Sequence, residues 1–110
     1  MQYREQLVWY LLAGTKGGRT RAKIILALKR RPYNAHQLSS ALNLDYKTIR
    51  HHLRILLENR LIVRIGKEDY GAPYALSEYM NLNFEKFKDI WKRLKDGDRL
   101  ISGSSGAKAR

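Results

Sequence analysis

Lys47, Arg50, His51 and Arg54 are four hydrogen-bond donors crowded onto the stretch Tyr46–Glu58, which carries a single acid, Glu58. Side chains of this kind bind anionic oxygen, and arginine's planar fork also matches the paired acceptors on the edge of guanine. On a helical wheel with Ile49 as reference, Leu53, Leu56 and Leu57 fall within about 80° of it, and His52 sits at the margin of that stripe. Lys47, His51 and Arg54 lie on the far side, with Arg50 and Thr48 on its shoulders. The stretch is therefore a helix, greasy on one side and basic on the other. Tyr46, Lys47, Thr48, Arg50 and His51, near its N-terminus, are placed to reach base edges in a major groove. Arg50 suits guanine, and Thr48 a thymine methyl or a phosphate. Arg54 and Arg60, farther along, suit phosphates.

Other chemistries find little support. There is no cysteine, and the histidines are His36, His51 and His52. Neighbouring residues on a helix point about 100° apart, so His51 and His52 cannot readily hold one metal ion. His52 is expected to pack and His51 to face outward. No nucleophile, base and orienting group form a set, so an enzyme is not expected, nor a metal or cofactor. The run Gly14-Thr15-Lys16-Gly17-Gly18-Arg19-Thr20 fails the spacing of a phosphate-cradling loop and follows a helix rather than a strand. It reads as a hinge, with Lys16 and Arg19 near backbone phosphate.

The elements that must position the basic helix can be read around it. Asp45 is its natural N-cap, placing a negative charge at the positive end of the helix dipole. Upstream, Asn34 caps a short helix and Gln37 completes a capping box. Leu38, Ala41 and Leu42 form the buried stripe of that helix, and Leu44 plugs the gap after the turn. Before it, Thr20 caps a helix running to about Arg31, with Ile24, Ile25 and Leu28 inward and Pro32 as the stop. Downstream, Leu61 to Ile65 predicts a strand, Gly66 to Gly71 a turn, and Tyr74-Ala75-Leu76 the returning strand, Pro73 being tolerable at its start. Lys67 and Tyr70 in that loop would touch the backbone of a bound duplex while Glu68 and Asp69 point away.

Two flanking helices complete the pattern. Gln2 to Ala13 carries Tyr3, Leu7, Tyr10 and Leu11 on one face, which Val8, Trp9 and Leu12 widen until it is apolar nearly all round. Such a helix needs cover from more than one side, which suggests a partner subunit. Near the other end Phe84, Phe87, Trp91 and Leu94 are spaced 3, 4 and 3, and Met80 extends the stripe backward. A stripe of that period is a helix-packing seam, read as lying between subunits. Ser77 and Asn83 both suit its N-cap, and a break near Asn81-Leu82-Asn83 fits as well. Residues 97–110 read as a flexible tail outside the fold, Ser102 to Gly106 resembling a linker.

The 110 residues suffice for one domain with a modest core. Of the net charge of +12, residues 14–64 hold twelve Lys/Arg against Asp45 and Glu58, a local excess of +10. Charge concentrated on the segment that carries the basic helix points to phosphates as the partner. No apolar run reaches the roughly 18 residues needed to cross a bilayer, and no secretion signal is evident, so the chain is expected in the cytoplasm. Lys86, Lys88, Lys92, Arg93 and Lys95 oppose the aromatic seam, but Glu85 and Asp89 among them argue against a membrane surface.

The succession Arg21 to Leu28, Pro32, Gln37 to Leu44, Thr48-Ile49-Arg50-His51-His52-Leu53, Glu58 to Ile62 and a glycine-bounded hairpin resembles the ArsR-like winged-helix family, most closely its archaeal members. The resemblance covers about residues 20–77. It implies a homodimeric transcriptional regulator whose recognition helix matches Asp45 to Arg60, without the family's metal-sensing cysteines. Arg60 departs from the glycine usual there and must adopt a left-handed turn or let the helix run on. The expected architecture is mainly α with a small β-hairpin. Residues 1–96 form a winged helix-turn-helix domain, core 20–77, with N- and C-terminal flanking helices forming a dimer. The expected interface residues are Leu7, Tyr10, Leu11, Phe84, Phe87, Trp91 and Leu94. The expected function is sequence-specific binding of double-stranded DNA; any small effector is left open. A protein- or RNA-interaction module within a larger transcription or processing assembly is the alternative.

Overall fold

The computed structural model describes residues 6, 8, 10–66 and 71–106, with side chains omitted at 13, 94 and 97–106. A π-helical turn, Tyr10–Gly14, leads into α1 (Gly18–Arg30), α2 (Ala35–Leu42) and α3 (Tyr46–Glu58). The hairpin strands β1 (Ile62–Arg64) and β2 (Tyr74–Leu76) follow, then α4 (Glu78–Leu82) and α5 (Phe84–Gly106). The strands pair antiparallel, Ile62 opposite Leu76 and Arg64 opposite Tyr74. Tyr33 adds a one-residue bridge to the outer side of β2, exchanging hydrogen bonds of 3.2 and 2.8 Å with Tyr74. That bridge ties the end of α1 to the base of the hairpin.

Local chemistry sets the boundaries. Asn34 accepts from Gln37 N while Gln37 Oε1 accepts from Asn34 N, each at 2.8 Å, so the expected capping box is present. α2 ends at Asn43, whose φ of 55° lets Leu44 N reach back to Ser39 O at 3.0 Å. α3 ends the same way at Arg60, which takes the left-handed option with φ 60°. Leu61 N donates to Leu56 O at 2.9 Å and Arg60 N to Leu57 O at 3.0 Å, and Leu56 and Leu61 are both fully buried. This is a Schellman closure with its apolar contact, made without glycine.

Several expectations need correction. The second helix starts at Gly18 with left-handed Gly17 as its cap, so Thr20 lies inside it. Ala41 is exposed and Leu42 half-buried, so Ala35 and Leu38 are the buried residues of α2. The choice between Ser77 and Asn83 resolves into both. Ser77 Oγ accepts from Met80 N to start α4, and Asn83 separates α4 from α5. α5 continues to Gly106, so the helix extends through most of the stretch read as a flexible tail. Neither proline nor a cluster of β-branched residues interrupts it.

The core draws on every element. Ile24, Ile25 and Leu28 of α1, Leu38 of α2, Ile49, Leu53 and Leu56 of α3, and Leu61, Leu76, Met80 and Phe87 meet in one cluster. Val8, Leu11 and Leu12 close it from the N-terminal side. Leu11 and Phe87, expected between subunits, are therefore spent on the chain's own core, at 8% and 1% exposure. The reason is length: α1 to α3 are too short to cover one another, and the flanking segments complete the core.

Candidate nucleic-acid interface

α3 is held by one face. Ile49, His52, Leu53 and Leu56 are buried, and each fully buried aliphatic side chain contributes about 1.5–3 kcal/mol to keeping the helix in place. Lys47, Arg50, His51 and Arg54 are all exposed. At the helical advance per residue, these four fall within an arc of about 100° directly opposite the anchor. The structure thus brings together the four donors the sequence singled out. Tyr46 and Thr48, at the edges of the arc, are half-buried. Asp45 Oδ2 accepts from Thr48 N at 3.2 Å and fixes the first turn.

Neighbouring rings order the N-terminal end of this face. His36 of α2 stacks on Tyr46, centroids 4.2 Å apart and planes 15° from parallel, and the Arg50 guanidinium lies 6.0 Å from the Tyr46 centroid. Ala35, His36, Tyr46, Arg50, Gly71, Ala72 and Tyr74 line a shallow open groove between this end and the hairpin. The sequence reading did not assign His36 to the site. Its signal would have been position: it follows the Asn34 cap, and a helix-turn-helix brings the start of its first helix near the start of its second.

Electrostatics follow the expected concentration of charge with one exception. Of the twelve Lys/Arg between residues 14 and 64, eleven are exposed. The twelfth, Arg21, is buried at 3% exposure. Its Nε donates to Leu11 O at 3.1 Å, Nη1 to His52 Nδ1 at 3.0 Å, and Nη2 to Lys16 O at 3.3 Å and to Thr15 Oγ1. Arginine donates only, so His52 accepts on Nδ1 and carries its ring proton on Nε2. Burial, then the nearby charges of Arg21 and His51, push the His52 pKa down to about 4. Burial also lowers that of Arg21. The sequence did hold a signal: Arg21 stands three and four residues before Ile24 and Ile25, on the apolar face of α1.

The remaining expected residues are spread more widely. Tyr10 is 58% exposed, and Phe84 and Trp91 are half-buried beneath the ammonium groups of Lys29, at 4.9 Å, and Lys95, at 5.6 Å. Leu82, not assigned to an interface, is the most exposed large apolar side chain among the described residues at 76%. Leu7, Lys67, Tyr70 and the side chain of Leu94 lie outside the described residues. Among those residues no group of three or more His, Asp or Glu is placed to hold a metal ion, and no helix is long and apolar enough to cross a membrane.

Three helices, the third exposed on its basic side, followed by a two-stranded hairpin, define a winged helix-turn-helix protein. Residues 18–63 match the model of the bacterial regulatory protein, arsR family. Among solved structures, the Staphylococcus aureus MepR–DNA complex superposes with a TM-score of 0.56 at 14% identity, covering 93% of this chain and 84% of that one. Staphylococcus aureus MarR in complex with salicylate and kanamycin gives 0.49 at 16% identity, covering 94% and 59%. No curated protein matches the chain.

Proposed function

We propose that this chain is a sequence-specific, double-stranded-DNA-binding transcriptional regulator that acts as a homodimer. One observation carries the reading: Lys47, Arg50, His51 and Arg54 project from a single arc of a rod whose opposite face is buried. A rod so held enters a major groove with its donors already pointed at the partner, losing little ordering entropy on binding. Arg50, backed by Tyr46, reads a guanine; Lys47, Thr48 and His51 share the base edges and adjoining phosphates, and Arg54 holds the backbone. The hairpin lies along the flanking backbone, and Lys67, between its two strands in sequence, is the cation assigned to that contact. That MepR, of the same fold, has been solved on DNA supports the partner class.

The dimer rests on apolar surface outside the core. Tyr10 and Leu82 are exposed, and Phe84 and Trp91 are half-covered. A partner copy covering them would set two α3 helices about 34 Å apart, one turn of duplex. Duplexes selected from a random pool, followed by anisotropy titrations, test the reading. Arg50→Ala should weaken the selected site about 5–150-fold and relax preference at one position, whereas Arg54→Ala weakens all sequences alike. Equal affinity for selected and random duplexes would defeat it. A shallow salt dependence, with another protein co-purifying, would favour the interaction-module alternative. Sedimentation velocity on Leu82→Glu and Tyr10→Glu tests the dimer, which predicts a shift to monomer.

A further inference from the structure

Arg21 is a cation where a core residue would be expected. It is buried, and among the described residues its hydrogen-bond acceptors are all neutral and no carboxylate pairs with it. An aliphatic side chain would fill the space without the cost of desolvating a guanidinium. What the guanidinium adds is direction, because its planar fork holds each acceptor at a fixed angle. Three of the four acceptors belong to the N-terminal flank: Leu11 O, Lys16 O and Thr15 Oγ1. The fourth is Nδ1 of His52, on α3 beside His51.

The backbone is shaped to permit this approach. Gly17 has φ 88°, and a Cβ there would sit 2.6 Å from His52 Cε1. A Cβ on Gly18 would sit 2.3 Å from Leu12 O. The run Gly14 to Thr20, read from the sequence as a hinge, is thus a close-packed joint. Gly17 and Gly18 let the flank, the start of α1 and the buried face of α3 meet around one guanidinium. Thr15 Oγ1 also donates to Leu11 O at 3.2 Å, closing the ring of bonds on the flank side.

We propose that Arg21 is a positioning residue that couples the N-terminal flank to the recognition helix, so that displacing the flank changes DNA affinity through the Arg21–His52 hydrogen bond. This rests on the DNA-binding reading of α3. The flank carries exposed Tyr10, which the proposed dimer covers, so subunit rearrangement is the displacement the joint would transmit. Coupling is a property of two arrangements biased from both ends, and a bond with strict geometry supplies the discrimination that apolar packing lacks.

A double-mutant cycle tests it. Thr15→Val removes a flank acceptor of Arg21 without touching α3, and His52→Leu removes the helix end. In the free protein, Thr15→Val should move the His52 ring nitrogen resonances and the backbone amides of Arg50, His51 and Arg54. It should also weaken binding to the selected duplex about 3–10-fold. In the His52→Leu background the same substitution should leave those three amides and the affinity unchanged. Arg21→Lys, which keeps the charge and loses the fork, should resemble Thr15→Val rather than wild type. Unmoved α3 amides in Thr15→Val, or equal effects of Thr15→Val in both backgrounds, would overturn the proposal. A wild-type chain that binds no duplex would defeat the DNA reading, and the amide shifts would still decide the coupling.

Discussion

Acidification should strip stability from this protein through one side chain. His52 is buried with Nδ1 committed to accepting from Arg21, so a second ring proton would have to enter beside a guanidinium and near His51. Its pKa in the fold is about 4, against about 6.5 for an exposed imidazole. Between these values the unfolded chain binds the proton and the folded one does not. The contribution of neutral His52 is therefore complete above about pH 6.5, declines as pH falls towards 4, and is flat below. Integrated over that window, the loss is about 2 kcal/mol from pH 7 to pH 5 and about 3 kcal/mol by pH 4. Urea unfolding at stepped pH, on wild type and His52→Gln, isolates the effect. Glutamine keeps an oxygen that can accept from Arg21 but does not titrate, and the carboxylates common to both chains cancel in the difference. The variant should lose less stability over the window by those amounts, and an NMR titration should place the His52 midpoint near 4. Equal slopes for the two chains, or a midpoint near 6.5, would refute the reasoning.

Three further outcomes follow from the same coordinates. Gly18→Ala should cost about 1–3 kcal/mol in chemical denaturation, because the new methyl meets the Leu12 carbonyl, which is backbone and cannot swing away. Arg60→Gly should raise stability by about 1 kcal/mol, relieving a left-handed non-glycine residue in the Schellman turn, and a thermal melt that falls would contradict that account. Added salt should act with opposite signs in two assays on the wild type. It should raise the unfolding midpoint by screening repulsion among the exposed cations of residues 14–64, and weaken duplex binding with a log–log slope of about −0.9 per phosphate contacted.

The parts legible in the sequence were those whose signal is local. A capping box needs only Asn34 and Gln37, a dipole cap only Asp45, and the stripe of Ile49, Leu53 and Leu56 only the helical period. The basic arc of α3 was readable for the same reason, since burying one face of a short helix exposes the other. What escaped depended on contacts between distant segments. Arg21 counted as surface charge: its place on the apolar face of α1 hints at burial, but nothing within that helix shows the Leu11 carbonyl or the His52 ring that accept from it. The stacking of His36 on Tyr46 needs the angle between two helices. Phe87 fitted an intersubunit seam by spacing alone, but spacing does not say which surface the seam meets, and the small core took it. The joint at Gly17 and Gly18 resembled a hinge because glycine marks both loose chain and close approach.

The two faces of α3 impose different demands that meet in one requirement. The exposed face concentrates like charges that repel one another in the free protein and gain only when a polyanion arrives. A helix carrying that load would fray or shift unless its length and rotation were fixed from behind. Asp45 fixes the start, the Leu56–Leu61 closure fixes the end, and three buried aliphatic residues fix the axis. Aliphatic packing leaves rotation the least constrained, since leucine contacts tolerate small turns about the axis far better than a hydrogen bond does. The Arg21–His52 bond opposes such rotation directly, and it lies on the side of the helix away from Lys47 and Arg54. A polar joint at that point is thus what an otherwise greasy anchor needs if the donors in front of it are to keep one register.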